Sequence, residues 1–218
     1  MTTTPVERLR LAVARTAALV DGRAATGLTH DDADDQQGTV ATDDAIGFDP
    51  LPLLAELDCR GAEVVVIGQV AGILHGSQEL TGDLDLLWDG APERAAAMAA
   101  AFAAVGARLT DDDGAELPCT AAAFRLPKID FATVNASGDC CTPALPWGEL
   151  DVSAFAARAL TAPGPDGTVI RYLTRADLIA MRRAIGRPKD LRRAAELAAL
   201  DRDRPAVEMR WAQDTGRS

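Results

Sequence analysis

Leu9, Val13, Ala17 and Val20 fall near one face of a helix, and this spacing predicts a short amphipathic helix over Val6 to Val20. The pattern then lapses. From about Gly22 to Asp49 the chain is rich in Asp, Gly, Thr and Gln and carries no apolar period, the composition of a flexible, mostly disordered connector. Periodicity returns at Leu51. Leu51 to Leu57 reads as helix, Glu63 to Ile67 as a β-branched strand, Val70 to His75 as a short helix and Leu84 to Trp88 as a strand. Ala91 to Val105 is an alanine-rich helix with Pro92 near its first turn and Gly106 at its end. Strands are expected at Ala107 to Thr110, Ala121 to Leu126 and Lys128 to Val134. A loop from Asn135 to Trp147 follows, with Pro143 and Pro146 as breakers. After a further strand at Thr168 to Tyr172, two helices close the domain. Thr174-Arg175-Ala176-Asp177 reads as a capping box opening the first, Gly186 stops it, and Pro188 starts the second, which runs to about Leu200. The expectation is an α+β fold: a small mixed sheet flanked by helices, with a C-terminal helical pair. Residues 1–50 form a helix and acidic flexible region, 51–202 the main domain and 203–218 a polar tail.

At 218 residues the chain is long enough to bury a sizeable core, though alanine supplies much of its 48% hydrophobic fraction and aromatic residues are only 4%. No stretch reaches the length of a membrane span. The start, Met1-Thr2-Thr3-Thr4-Pro5, lacks a basic region followed by an apolar one, so a cytoplasmic protein without an anchor is expected. Cys59, Cys119, Cys140 and Cys141 make no C-x-x-C pair, and His30 and His75 are the two histidines. A structural zinc site is not expected, and the thiols read as free. A formal net charge of −11 argues against non-specific nucleic-acid binding over the whole surface. The charge is uneven, however. Asp31, Asp32, Asp34, Asp35, Asp43 and Asp44 cluster early, whereas Arg171, Arg175, Arg182, Arg183, Arg187, Lys189, Arg192 and Arg193 cluster late.

The chemistry concentrates in Thr81-Gly82-Asp83-Leu84-Asp85-Leu86-Leu87-Trp88. On a strand, Asp83 and Asp85 point to the same face while Leu84 and Leu86 point into the core. Two carboxylates side by side repel each other unless a cation lies between them, and hard oxygen ligands suit Mg²⁺ or Mn²⁺. The alternative is a solvated pair on an exposed strand face. Upstream, Val66-Ile67-Gly68-Gln69 ends a strand and enters a helix, a junction whose amides can hold phosphate oxygens. Downstream, Asp130 sits between apolar Ile129 and Phe131 and needs solvent, a cationic partner or a metal. A salt bridge from Asp130 to Lys128 is not expected, because neighbours two apart share a face but compete for water. His75 reads as a core or turn-supporting residue rather than a base, and Trp88 and Trp147 as packing residues.

Ile67-Gly68-Gln69-Val70-Ala71, Leu74-His75-Gly76, Asp83-Leu84-Asp85 and the late run Asp177 to Leu191 together resemble the DNA polymerase beta-like nucleotidyltransferase superfamily. The likeness is to its minimal bacterial members, which include toxins of abortive-infection-type toxin–antitoxin systems, and it spans roughly Glu63 to Leu200. It implies transfer of an NMP from an NTP to an acceptor hydroxyl on a tRNA, a protein or a small molecule, with an antitoxin as a further partner. Asp83, Asp85 and Asp130 would be catalytic and hold Mg²⁺ or Mn²⁺, and Gly68, Gln69, Ser77, Arg187 and Lys189 would contact the nucleotide. Two positions depart from the pattern. Gln69 stands where relatives carry Gly or Ser, and Arg182 where they commonly carry Lys, a planar fork in place of a point charge. The alternative reading, supported by Gln69, is a catalytically degenerate binding or regulatory protein with the same fold.

Overall fold

The computed structural model describes residues 3–33 and 38–200; Asp34, Asp35 and the polar tail with Trp211 lie outside them. The described residues form seven α-helices and one eight-stranded mixed sheet, an α+β fold whose sheet is larger than the small one expected. The sheet is built on β1 (Val64–Val66), three consecutive valines that are all buried, as a strand covered on both faces requires. β2 (Leu86–Trp88) pairs antiparallel to β1, with Val66 opposite Leu86. On the far side of β2 runs β6 (Ser137–Cys141), parallel, with Leu86 opposite Cys140. β5 (Lys128–Ala132) forms a hairpin with β6 in which Asp130 and Asp139 are direct partners. β3 (Arg108–Thr110) and β4 (Glu116–Leu117) extend that side. On the other, β8 (Val169–Tyr172) runs parallel to β1, and β7 (Leu160–Pro163) closes the order β4-β3-β5-β6-β2-β1-β8-β7.

Helices cover the sheet. α1 (Pro5–Val20) begins with a capping box, in which Thr4 Oγ1 accepts from Glu7 N and Glu7 accepts from Thr4 N. It packs on α3 (Gly68–His75), while α2 (Leu51–Cys59) packs on α4 (Ala95–Ala104). A four-residue α5 (Phe155–Arg158) precedes β7, and α6 (Arg175–Ile185) packs on α7 (Pro188–Ala199). Phe102, Phe124 and Phe131 meet in the core with ring centroids 5.1 Å apart for each contact of Phe102. No helix of the described residues is long and apolar enough to cross a membrane.

Several expectations are corrected. Ala121 to Leu126 is not a strand: Ala123–Arg125 is a 3-10 turn that delivers Phe124 edge-on to Trp88. The expected loop from Asn135 to Trp147 contains β6, whose small residues lack the β-branched signature of a strand. The expected disordered connector contains 3-10 turns at His30–Asp32, Gly38–Ala41 and Asp43–Ala45, and it buries Thr39, Thr42, Ala45 and Phe48. Side-chain hydrogen bonds replace apolar periodicity there. The Asp43 carboxylate accepts from the amides of Thr26 and Gly27, and Arg23 donates to the carbonyls of Val40 and Thr42.

Candidate functional site

β1 leads through Ile67 into Gly68, the first residue of α3, and the Ile67 amide donates to the carbonyl of Asp85 at 2.9 Å. Gly68 has φ +60, and a Cβ there would lie 1.7 Å from Asp85 Oδ2. Only glycine lets the carboxylate approach the backbone of the turn this closely. Leu84 and Leu86 are fully buried, and Asp83, just ahead of β2, is joined to Ser137 by an isolated parallel bridge. The register that sets Leu86 opposite Cys140 makes Asp85 the neighbour of Asp139 on the adjacent strand.

These acids open into a cavity of about 580 Å³. Its lining includes Asp83 and Asp85 from the segment just ahead of β2, Asp139 from β6, Gly68 and Gln69 from the turn, and Arg182, Arg187, Lys189, Asp190 and Arg193 from α6, α7 and the link between them. Of the sequence-derived site residues, Asp83, Asp85, Gly68, Gln69, Arg187 and Lys189 therefore share one cavity. Asp130 and Ser77 are not among its lining residues. Asp130 lies one strand further out, and the acid of its hairpin that reaches the cavity is Asp139, hidden from sequence reasoning by the missed strand. Ser137-Gly138-Asp139-Cys140-Cys141 shows no apolar–polar alternation, so no local strand signal pointed to it. Gly138 marks a close backbone approach, since a Cβ there would lie 2.2 Å from the Leu84 carbonyl oxygen.

The salt bridge judged unfavourable from sequence is present. Lys128 Nζ lies 3.0 Å from Asp130 and 3.4 Å from Asp139, with Asp112 at 3.3 Å. Three acids round one ammonium outweigh the competition from water, and their charge pushes Lys128 up against the opposing effect of burial. Burial, then the Asp139 carboxylate, pushes Asp130 up to about 6. Burial acts the same way on Asp139, but His30, Asp130 and Lys128 outweigh it and hold that carboxyl down to about 2. Asp85 stands well above the ordinary carboxylate range, through burial first and then the charges of Asp83 and Asp139.

Gln69 does not crowd the turn with a loose amide. Its Oε1 accepts from Arg182 Nη2 at 2.7 Å, and its Nε2 donates to Ser77 Oγ at 3.0 Å and the Glu79 carbonyl at 2.7 Å. Arg182 Nη2 also donates to the Gly68 carbonyl at 3.0 Å, so this one nitrogen braces the turn from α6. Burial lowers its pKa to about 10. Ser77 in turn donates to Glu196 of α7, which gives it a bracing place outside the cavity. Arg187 pairs with Asp190 at 2.6 Å and Arg193 with Glu79 at 2.7 Å.

The connector completes the wall with His30, Ala33, Gly38 and Thr39. Thr39 Oγ1 donates to Asp83 Oδ1 at 2.9 Å and accepts from the Gly82 amide at 2.9 Å. Ser137 Oγ donates to Asp44, and His30 stands 3.6 Å from Asp44 and 3.5 Å from Asp139. Leu145, Pro146, Trp147, Met181 and Ile185 supply an apolar rim. Trp147 thus packs on the core, as expected, and also borders the cavity. His75 lies elsewhere, with Nε2 2.8 Å from the Leu173 carbonyl and its ring edge-on to Tyr172. No protein-family model matches the chain, and no curated protein is significantly similar to it.

Proposed function

We propose that the protein is a metal-dependent nucleotidyltransferase that moves an NMP from an NTP to an acceptor hydroxyl. One observation carries the reading: four carboxylates (Asp83, Asp85, Asp139 and Asp190) and five Lys or Arg side chains line the same cavity beside a glycine turn that starts a helix. Carboxylates alone repel a triphosphate, and basic groups alone need no acids. The combination suits an anion that arrives with a divalent cation.

The donor set fits that cation. Asp85 is crowded by two like charges and held above its ordinary range, which is the state a bound dication relieves. Asp83, Asp85 and Asp139 would hold Mg²⁺ or Mn²⁺; the role that the resemblance gave to Asp130 passes to Asp139, the acid that lines the cavity. A dication bound there supplies Lewis-acid stabilisation of the charge on the reacting phosphate oxygens. The first-turn amides of α3 have no carbonyl partner within the helix and, with Arg182, Arg187 and Lys189, receive the phosphate chain. The apolar rim around Trp147 offers a face to the base. The acceptor oxygen then bonds the α-phosphorus, the bond from that phosphorus to the oxygen bridging the β-phosphate breaks, pyrophosphate leaves, and the hydroxyl proton passes to solvent water, since Asp139 is held too acidic to keep it. Gln69, the feature that favoured a degenerate binding protein, has its amide fully engaged away from the phosphate path.

Incubation with Mg²⁺, each α-labelled NTP and total RNA or cell extract tests the proposal. Label should move to an acceptor, and Asp83→Ala and Asp139→Ala should each cut the rate by about 10²-fold or more, the scale of losing one pre-set electrostatic group. Nucleotide binding without transfer to any acceptor would favour the regulatory reading instead.

A further inference from the structure

We infer that His30 is a nitrogen ligand of the cation held at Asp139, so that the site prefers a first-row transition dication such as Mn²⁺ over Mg²⁺. The inference rests on the proposed metal-binding role of Asp139 and adds what that role leaves open, the identity of the ion. His30 opens the first 3-10 turn of the connector, and Asp32 fixes that turn by accepting from the Thr29 amide at 2.8 Å. One ring nitrogen, Nδ1, lies 3.6 Å from Asp44 Oδ2, and the other oxygen of Asp44 is tied to the Ser137 hydroxyl. At that separation Asp44 acts on the ring through its charge, a carboxylate behind one imidazole nitrogen while the other nitrogen faces Asp139.

The other nitrogen, Nε2, faces Asp139 Oδ1 at 3.5 Å, and donor atoms of His30, Asp130 and Asp139 all lie within 4.8 Å of one another. A separation of 3.5 Å is too long for a strong direct hydrogen bond, yet it matches two ligands that share one ion at about 2.0–2.2 Å each. Asp130 Oδ1 and Asp139 Oδ1 are buried and face the Lys128 ammonium at 3.0 and 3.4 Å. Lys128 brings one positive charge to these two carboxylates, which leaves negative charge for a further cation. His30 also lines the cavity that Asp83 and Asp85 share. Imidazole nitrogen is a poor partner for Mg²⁺ and a good one for transition dications, so its presence selects the ion.

Pulsed EPR of the full chain loaded with Mn²⁺ reads the bond directly. The wild type should show a ¹⁴N coupling from imidazole that changes on ¹⁵N-histidine labelling, a result that needs no variant to fold. His75 is occupied with Leu173 outside the cavity, so His30→Gln should abolish the coupling. The same variant should weaken Mn²⁺ binding about tenfold or more while Mg²⁺ changes by less than about twofold. Bound Mn²⁺ without nitrogen coupling, or an unchanged preference between the ions in His30→Gln, would overturn the inference and identify His30 as an imidazolium paired with Asp44 and Asp139. Failure of the wild type to bind either ion would instead remove the metal-binding role on which the inference rests.

Discussion

Gly68 combines two demands that no other side chain meets: a left-handed φ and room for the Asp85 carboxylate where a Cβ would stand. Gly68→Ala should therefore destabilise the fold by at least about 1–2 kcal/mol, the cost of a left-handed conformation for an L residue, and should also displace Asp85. Urea unfolding checks the first effect and Mg²⁺ titration the second; an alanine variant with unchanged stability and unchanged ion binding would refute this account of the turn. The pair Asp83 and Asp85 and the glycine before them were legible in sequence, because a period of two and a strand-to-helix break are local signals. Asp139 was not, since its place beside Asp85 depends on a parallel pairing between β2 and β6, which no local pattern encodes. Lys128 was misjudged for the same reason: two of its three acid neighbours, Asp112 and Asp139, come from other segments.

At the scale of elements, the connector is held by polar contacts rather than an apolar face, so a reading based on periodicity took it for disorder. Thr39 is its anchor, bonding Asp83, the Gly82 amide and the Thr81 hydroxyl. Gly82 lets the connector settle, because a Cβ there would lie 2.6 Å from the Ala45 amide nitrogen. Thr39→Val keeps the shape and removes these bonds. It should cost about 1–3 kcal/mol, the penalty of leaving buried polar groups unpaired, and should loosen Asp83. Chemical denaturation measures the first effect; a change below about 0.3 kcal/mol would show that the connector is not pinned through Thr39. β6 escaped notice because serine, glycine and cysteine carry little strand propensity, and α6 and α7 were found because their caps and stop signals are explicit.

For the whole molecule, α3 is the element on which the others converge: α1, α6 and α7 pack on it, and both ends of it are pinned. At its C-terminal end His75 is half-buried against Leu173 and Tyr172, and desolvation, followed by nearby arginines, lowers its pKa below the ordinary 6.5. A histidine whose folded-state pKa is depressed contributes stability that is fully present above the unfolded value and is lost as pH falls below it. The wild type should therefore lose stability relative to His75→Gln as pH drops below about 6.5, and unfolding curves across that range measure it. A constant difference between the two proteins would contradict the assignment of a half-buried neutral ring.

The acids pose the central question, since a trio of carboxylates held for a dication should oppose folding when the ion is absent. Asp85→Asn removes the most strained of them, whose raised pKa marks an unfavourable charge at neutral pH. The direct measurement is the unfolding midpoint of the wild type and of Asp85→Asn at pH 7, with and without saturating Mn²⁺ or Mg²⁺. The account predicts that Asp85→Asn is the more stable protein without metal and gains nothing from it, while the wild type gains stability as ion concentration rises. A wild type indifferent to both ions, together with an asparagine variant less stable than it, would contradict the claim that these carboxylates form a cation site.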